Sequence, residues 1–390
     1  VCLAAWSEMY ALPKSSEAYV NLQAKINEEK GTGEYIAPLN GENRQTIQLV
    51  DVDEDGLQEA VAFFRDADAD TPLRIVIFKQ DDQGEYQVYA RIQGVGSEID
   101  SIEYVDLGGA GESDVLVSWQ AGSSLRTLVG YTITDGQPTE IMRSAYDRYL
   151  TADLDGDGQE EVVLAQAEEE SSSTRIEYYD SRDGVLTLTA TSPPVGWNQP
   201  TSAAGVQGWL EETVPALFVT SYFGRDVLLT DVFVLDDQQG LRNIAWNPET
   251  RRSDSTFHYY TGVAPEDING DGLVEVPVAP QRVAAYGESS VDQFWWLDWI
   301  HYQTDGTQTV MTTTYHSGDG WYLDIPAAWN QVGDITMCPA GELHHRGAQR
   351  HIRPGRPGRG EHPGALFGDL LPDRQRPQPP SGPKRPVHPL

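Results

Sequence analysis

Three stretches of this sequence set oxygen ligands at alternate positions around a glycine-marked turn. They read Asp51-Val-Asp53-Glu-Asp55-Gly56-Leu57-Gln-Glu59, Asp153-Leu-Asp155-Gly-Asp157-Gly158-Gln159-Glu-Glu161 and Asp267-Ile-Asn269-Gly-Asp271-Gly272-Leu273-Val-Glu275. Such a loop suits a hard cation, because calcium takes roughly six to eight oxygens, mostly from carboxylates and carbonyls. Side chains at positions one, three and five aim at a common centre, and the glycine at six permits the sharp turn. Position seven offers its backbone carbonyl and the acid at nine closes the shell. The predicted ligands are therefore Asp51, Asp53, Asp55, Glu59 and the carbonyl of Leu57; Asp153, Asp155, Asp157, Glu161 and the carbonyl of Gln159; and Asp267, Asn269, Asp271, Glu275 and the carbonyl of Leu273. Without a cation the clustered charges repel one another. An EF-hand shares the opening but needs its bidentate Glu at position twelve; that place holds Ala62, Leu164 and Val278. Asp/Gly turns also occur at loop tips without a metal, and that reading stays open from the residues alone.

The elements that must hold these loops follow from what surrounds them. Each loop runs straight into an apolar strand. A fourth copy, Asp106-Leu-Gly108-Gly-Ala110-Gly111-Glu-Ser-Asp114, keeps the first and last acids and loses the middle ones, so its site should be empty or weak. The loop starts lie 55, 47 and 114 residues apart, which places a hidden copy at 207–215, where the strand survives and the acids are gone. Between loops the sequence spells hairpins: Arg74–Lys79, a turn at Asp82-Gln-Gly84 and Tyr86–Ala90; then Arg175–Tyr179, a turn at Arg182-Asp-Gly184 and Val185–Thr189. A further pair flanks Gln238-Gln-Gly240, and Phe294–Tyr302 with Thr307–Tyr315 belongs to a fifth unit. A sixth unit is expected to start after Trp321. Four strands in about 50 residues is the size of a β-propeller blade. The expected fold is therefore all-β, a propeller of four-stranded blades over residues 44–337, with a linear array of sandwich modules as its rival. One helix is predicted at 16–30, from apolar residues at Tyr19, Leu22 and Ile26 and the stop at Gly31 and Gly33.

Composition narrows the function classes. The chain has 390 residues and a formal net charge of −33, yet residues 339–390 hold 9 of the 27 Lys+Arg and 4 of the 60 Asp+Glu. The acidic body repels nucleic-acid phosphates and anionic lipid heads and attracts divalent cations. With only Cys2 and Cys338, neither a disulfide framework nor a cysteine zinc site can be built. Cys2 is expected to be either the lipid-accepting cysteine of an exported protein or an ordinary thiol. The Pro/Gly/Arg-rich stretch 338–390 reads as a disordered basic tail or as the product of a slipped reading frame near Cys338. No G-x-S-x-G elbow, H-E-x-x-H or Walker loop is present. The three histidines outside the tail, His258, His301 and His316, share no spacing. The run Phe294-Trp295-Trp296-Leu297-Asp298-Trp299 invites sugar stacking, but strand alternation favours core packing on both faces.

The loops at their spacing resemble FG-GAP and VCBS repeats, in which an Asp-x-Asp-x-Asp-Gly-x-x-Asp loop sits between propeller strands, as in the integrin α-chain propeller and many bacterial surface proteins. The helix, Leu12-Pro13 and Asn43-Arg44-Gln45 are similar to a group of bacterial lipoproteins carrying such repeats. The resemblance covers roughly residues 45–335 and departs at position nine, which is Glu in place of the usual Asp. It implies structural Ca2+, an extracytoplasmic, secreted or surface-anchored location, an extracellular ligand such as a glycan or protein, and membrane contact only through an anchor at Cys2. The expected function is a non-catalytic scaffold or ligand-binding propeller, with a polysaccharide-active hydrolase or lyase on the same frame as the alternative.

Overall fold

In the computed structural model the described residues are 17–326, except 95, 110, 123–124, 168–173, 193–194, 196–203, 224–226, 237–239, 260–261, 280–294 and 317–321, together with 335–338, 342–345 and 388–389. The expectations for Cys2, for Phe294 and for most of the tail fall outside them. The fold is all-β with one α-helix. Helix α1 (Glu17–Lys30) is followed by a first sheet of β1 (Glu34–Tyr35), β2 (Ile47–Val50), β3 (Glu59–Arg65), β4 (Leu73–Gln80) and β5 (Tyr86–Gly94), in which β1 and β2 both pair with β3. A second sheet runs in chain order through β6 (Glu98–Val105), β7 (Asp114–Ala121), β8 (Leu125–Thr134) and β9 (Gln137–Ala145). The third is β10 (Arg148–Ala152), β11 (Glu161–Ala167), β12 (Thr174–Arg182) and β13 (Val185–Thr191); the fourth is β14 (Ala204–Glu211), β15 (Val214–Phe223), β16 (Val227–Asp236) and β17 (Gly240–Asn243). The fifth is β18 (Val276–Val278), β19 (Trp295–Tyr302), β20 (Gln308–His316) and β21 (Tyr322–Ile325).

An interior strand of each of the first four sheets carries a continuous buried run. In β3, Glu59 to Phe64 are all buried, and β7, β11 and β15 repeat that pattern, because each lies inside its sheet with both faces covered. The last strand of the third sheet is instead mostly exposed, with one buried residue in seven in β13. Contacts divide the chain into two compact units. The first comprises residues 1–146, 159–161 and 179–188, and the second 147–158, 162–178 and 189–390. In the first unit, the core joins Val61, Phe63, Ile75 and Ile77 of the first sheet to Ile102, Val115, Val117 and Trp119 of the second. On the other face of the first sheet, Leu22 and Ile26 of α1 cover Ala60, Ala62, Phe64, Val76 and Phe78. Tyr19, expected on that helical face, is 56% exposed, and Ala18 takes its place one turn before Leu22. In the second unit, one core joins the third and fourth sheets through Ala165, Tyr178, Leu217 and Phe233, and another joins the fourth and fifth through Phe218, Val232, Val276 and Tyr302.

Two expectations need correction. The segment 207–215 holds no open loop: 207–211 lie in β14, and two residues separate it from β15. With Gln207, Trp209 and Pro215 at positions one, three and nine, the carboxylates that would face a common centre are missing, and a tight turn closes the ladder. The strand after Trp321 does not open a sixth unit, since β21 pairs with β20 and completes the fifth sheet; the opening strand of that unit is reduced to one bridge, Glu266 to Glu275. At the boundary of the expected tail, β22 (Ile335–Cys338) pairs antiparallel with β23 (Glu342–His345), and further along it β24 (His388–Pro389) pairs with β14.

Candidate metal centre

The first acid of each loop organises the turn that follows. Asp51 accepts a hydrogen bond from the Gly56 amide, Asp106 from Gly109 and Gly111, Asp153 from Gly156 and Gly158, and Asp267 from Gly270, Asp271 and Gly272, at 2.7 to 3.2 Å. Those amides converge on one carboxylate because the residues at positions four and six are left-handed: Glu54 and Gly56, Gly109 and Gly111, Gly156 and Gly158, Gly270 and Gly272 all have positive φ. The middle acids fasten the turn further: Asp55 accepts from the Leu57 amide at 2.8 Å, Asp155 from Asp157 at 3.1 Å, Asn269 from Asp271 at 2.8 Å and Asp271 from Leu273 at 2.9 Å.

The ninth acid opens the following strand or, at Glu275, directly precedes it, and is buried in every copy: Glu59, Asp114, Glu161 and Glu275 are 1%, 4%, 2% and 0% exposed. One carboxylate oxygen of Glu59, Asp114 and Glu275 accepts the amide of position two, from Val52, Leu107 and Ile268, at 2.9 to 3.1 Å. Burial raises the pKa of all three carboxyls. Glu275 is pushed up to about 7 by burial and by the neighbouring charges of Asp271 and Asp267, and Asp53 and Asp55 add to the rise at Glu59.

The structure gathers these predicted ligands unequally. Asp153, Asp155, Asp157 and Glu161 converge, each offering an oxygen within 4.8 Å of the others. Gln159, read as a carbonyl donor, lays its side chain against Gly109. In the first loop Asp51, Asp53 and Glu59 converge, while Asp55 turns to the Lys79 ammonium at 2.9 Å, an ion pair that lowers its pKa. Leu57 is exposed. In the loop 267–275, Asn269 places its amide nitrogen among the acids and donates to Asp271 at 3.0 Å and Glu275 at 3.2 Å; a cation there requires that amide to turn its oxygen inward. Leu273 donates its backbone N–H to Asp271. The loop 106–114 lacks the middle acids and is closed by hydrogen bonds to Asp106 and Asp114.

Whether these residues fit a cation is answered best by the first loop. Asp51 Oδ1, Asp53 Oδ1 and Glu59 Oε1 are buried and have no hydrogen-bond partner. Three inward-facing carboxylate oxygens without donors are costly unless a positive charge meets them. The residue missed in the sequence is Lys79, whose ammonium reaches both Asp53 and Asp55; its position, 20 residues beyond Glu59, carried no local signal.

Other chemistry-bearing residues stand apart from the loops. His258 and His316 are buried, His316 lies 2.9 Å from Thr314 Oγ1 and stacks on Tyr322, and Trp299 is buried with its Nε1 donating to Thr314 at 2.8 Å. Of the aromatic run, Leu297 and Trp299 are core residues, while the side chains of Trp295 and Trp296 lie outside those described.

No family model and no curated protein matches the chain. Among solved structures, it is similar to a protein from Lactobacillus plantarum at 12% identity and a TM-score of 0.29, over 67% of this chain and 79% of that one.

Proposed function

We propose that the chain is a non-catalytic, calcium-stabilised β-propeller of the FG-GAP/VCBS kind that displays a ligand-binding surface outside the cell. The observation that carries the metal reading is the convergence of four carboxylates, Asp153, Asp155, Asp157 and Glu161, in the 153–161 loop; the 51–59 loop repeats the arrangement with buried, donorless oxygens on Asp51, Asp53 and Glu59. The propeller reading draws on order. Within each unit consecutive sheets share a core, and consecutive repeats are laced near the loops: Ser113 N donates to Val52 O at 2.8 Å, Gln207 Nε2 to Asp153 O at 2.5 Å and Val274 N to Trp209 O at 2.9 Å. A cation at these points neutralises the acids and fixes the loops that carry the lacing.

Asp153, Asp155, Asp157 and Glu161 would hold the ion in the third sheet, and its role there is charge neutralisation and cross-linking. Binding to the native state alone stabilises by about 2.7 kcal/mol per site at a hundredfold excess over Kd. Calcium at millimolar concentration is therefore expected to raise the melting temperature by several degrees, and an Asp155→Asn, Asp157→Asn double variant to lose most of that rise. Identical melting curves of the wild-type chain in calcium and in chelator would remove the basis for this function. A glycan array read alongside an assay for released reducing sugar separates a binding scaffold from a polysaccharide-active enzyme.

A further inference from the structure

The 51–59 loop differs from its sister loops in having a lysine across the ladder. In the first sheet Ala60 pairs with Phe78 and Val61 with Ile77, so one step further the register sets Glu59 opposite Lys79. Alternation puts Lys79 on the face of Ile75 and Ile77, which is the face that Val52 of the loop also packs against. Its ammonium bridges Asp53 and Asp55 and lies 5.7 Å from the centre of the Tyr89 ring. The place is held by neutral Thr132 in the second sheet, where the loop has lost its middle acids and Asp114 is the residue opposite. Between these two sheets, the positive charge accompanies the loop that keeps its middle acids and is absent from the loop that has lost them.

We propose that Lys79 is a tethered cation for the 51–59 loop, holding its acids together in place of a divalent ion, so that calcium enters this loop only by displacing the ammonium. The inference rests on the calcium reading of the loops and deepens it: one fold carries an ion-dependent loop at 153–161 and a loop at 51–59 that is largely independent of the ion. Asp55 is the pivot. It pairs with Lys79 at 2.9 Å and stands outside the converging group of Asp51, Asp53 and Glu59, so displacing the ammonium frees a fourth carboxylate. The unpartnered oxygens of Asp51, Asp53 and Glu59 are then the receiving site, and the lysine side chain swings out beside Tyr89.

The test compares the full-length wild-type chain with Lys79→Met and Lys79→Gln, which remove the charge with and without a polar tip. Calcium binding is followed by titration calorimetry and thermal unfolding is followed in chelator and in calcium. Both variants are expected to melt lower than wild type in chelator, to regain the wild-type melting temperature in calcium, and to bind calcium at one class of site at least about tenfold more tightly, equivalent to about 1.4 kcal/mol. Adding Asp53→Asn to Lys79→Met should abolish that gain. A titration of either variant that superimposes on wild type, or a loss of stability that calcium does not restore, overturns the tethered-cation role. If wild type takes up no calcium but Lys79→Met does, the role of Lys79 stands and the calcium-bound reading of the native loops fails. If neither takes up calcium, both fall.

Discussion

The residue that does most in each loop is the acid at position nine, because it works in two directions. One oxygen of Glu59 accepts the Val52 amide and fixes the loop to its own strand, and the other faces the loop interior with no donor. A carboxylate is needed for both jobs. Position four shows the opposite economy: three loops place Gly there, and the first places Glu54 at a φ of 54°. The left-handed region costs a residue with a Cβ about 1–2 kcal/mol, part of which glycine returns through its larger unfolded entropy. Glu54→Gly is accordingly expected to stabilise the chain by about 0.5–1 kcal/mol in urea unfolding, with the slope of the transition unchanged. A loss of stability would mean that the Glu54 side chain contributes more than its backbone strain costs.

At the scale of elements, α1 is held by burial and by one charge cluster. Ile26 is 1% exposed against the first sheet, so Ile26→Ala should cost about 2–4 kcal/mol. Glu29, near the end of the helix, accepts from Arg91 at 2.7 and 3.0 Å and pairs with Arg74 at 3.2 Å. Its pKa is lowered below the usual 4.5, first by the hydrogen bonds from Arg91 and then, against the cost of burial, by the charges of Arg91 and Arg74. A depressed folded-state value means that the contribution is complete above pH of about 4.5 and disappears as pH falls through the folded value. Glu29→Gln is expected to cost about 1 kcal/mol at pH 7, a figure kept small because Arg91 is half exposed, and to cost nothing at pH 2; denaturant unfolding at the two pH values checks this. A second contact at this scale joins two sheets. A Cβ on Gly94 would lie 2.2 Å from the Trp119 ring, so Gly94→Ala must push the indole out of the core. Overpacking of this sort typically costs about 1–3 kcal/mol, and near-ultraviolet circular dichroism of the variant should show the displaced tryptophan.

The whole molecule has two compact units, the first built around the core of the first and second sheets and the second around the two cores that join the third, fourth and fifth. Two units with separate cores make a single cooperative transition the exception. Calorimetry is expected to resolve two unfolding events. Phe63→Ala, in the first core, and Phe233→Ala, in the second, should each lower one event by the equivalent of about 3–5 kcal/mol and leave the other nearly in place. One transition shifted by both variants would show that the units unfold together. The acidic composition belongs to this scale too: with 60 Asp+Glu against 27 Lys+Arg, added salt should stabilise the chain by screening its self-repulsion.

Much of this was legible in the residues, for a simple reason. Loop, apolar run and Gly-marked turn are local signals, and β-strands made of short alternating or continuous apolar runs need no distant information to be recognised; β4 with β5, β12 with β13, and the 106–114 loop without its middle acids follow directly from the sequence. What lay beyond it depends on partners far away in the chain. The absorption of 207–211 into β14, the pairing of β21 with β20, the exposure of Tyr19 and the arrival of Lys79 over Asp53 and Asp55 are all decided by ladder register and by which face an element buries. The sequence by itself determined where charge, turns and strands would be, because those follow from each residue and its near neighbours. Only the tertiary structure decided which oxygens are left facing one another without a donor, since a carboxylate's company is set by the strands that close around it.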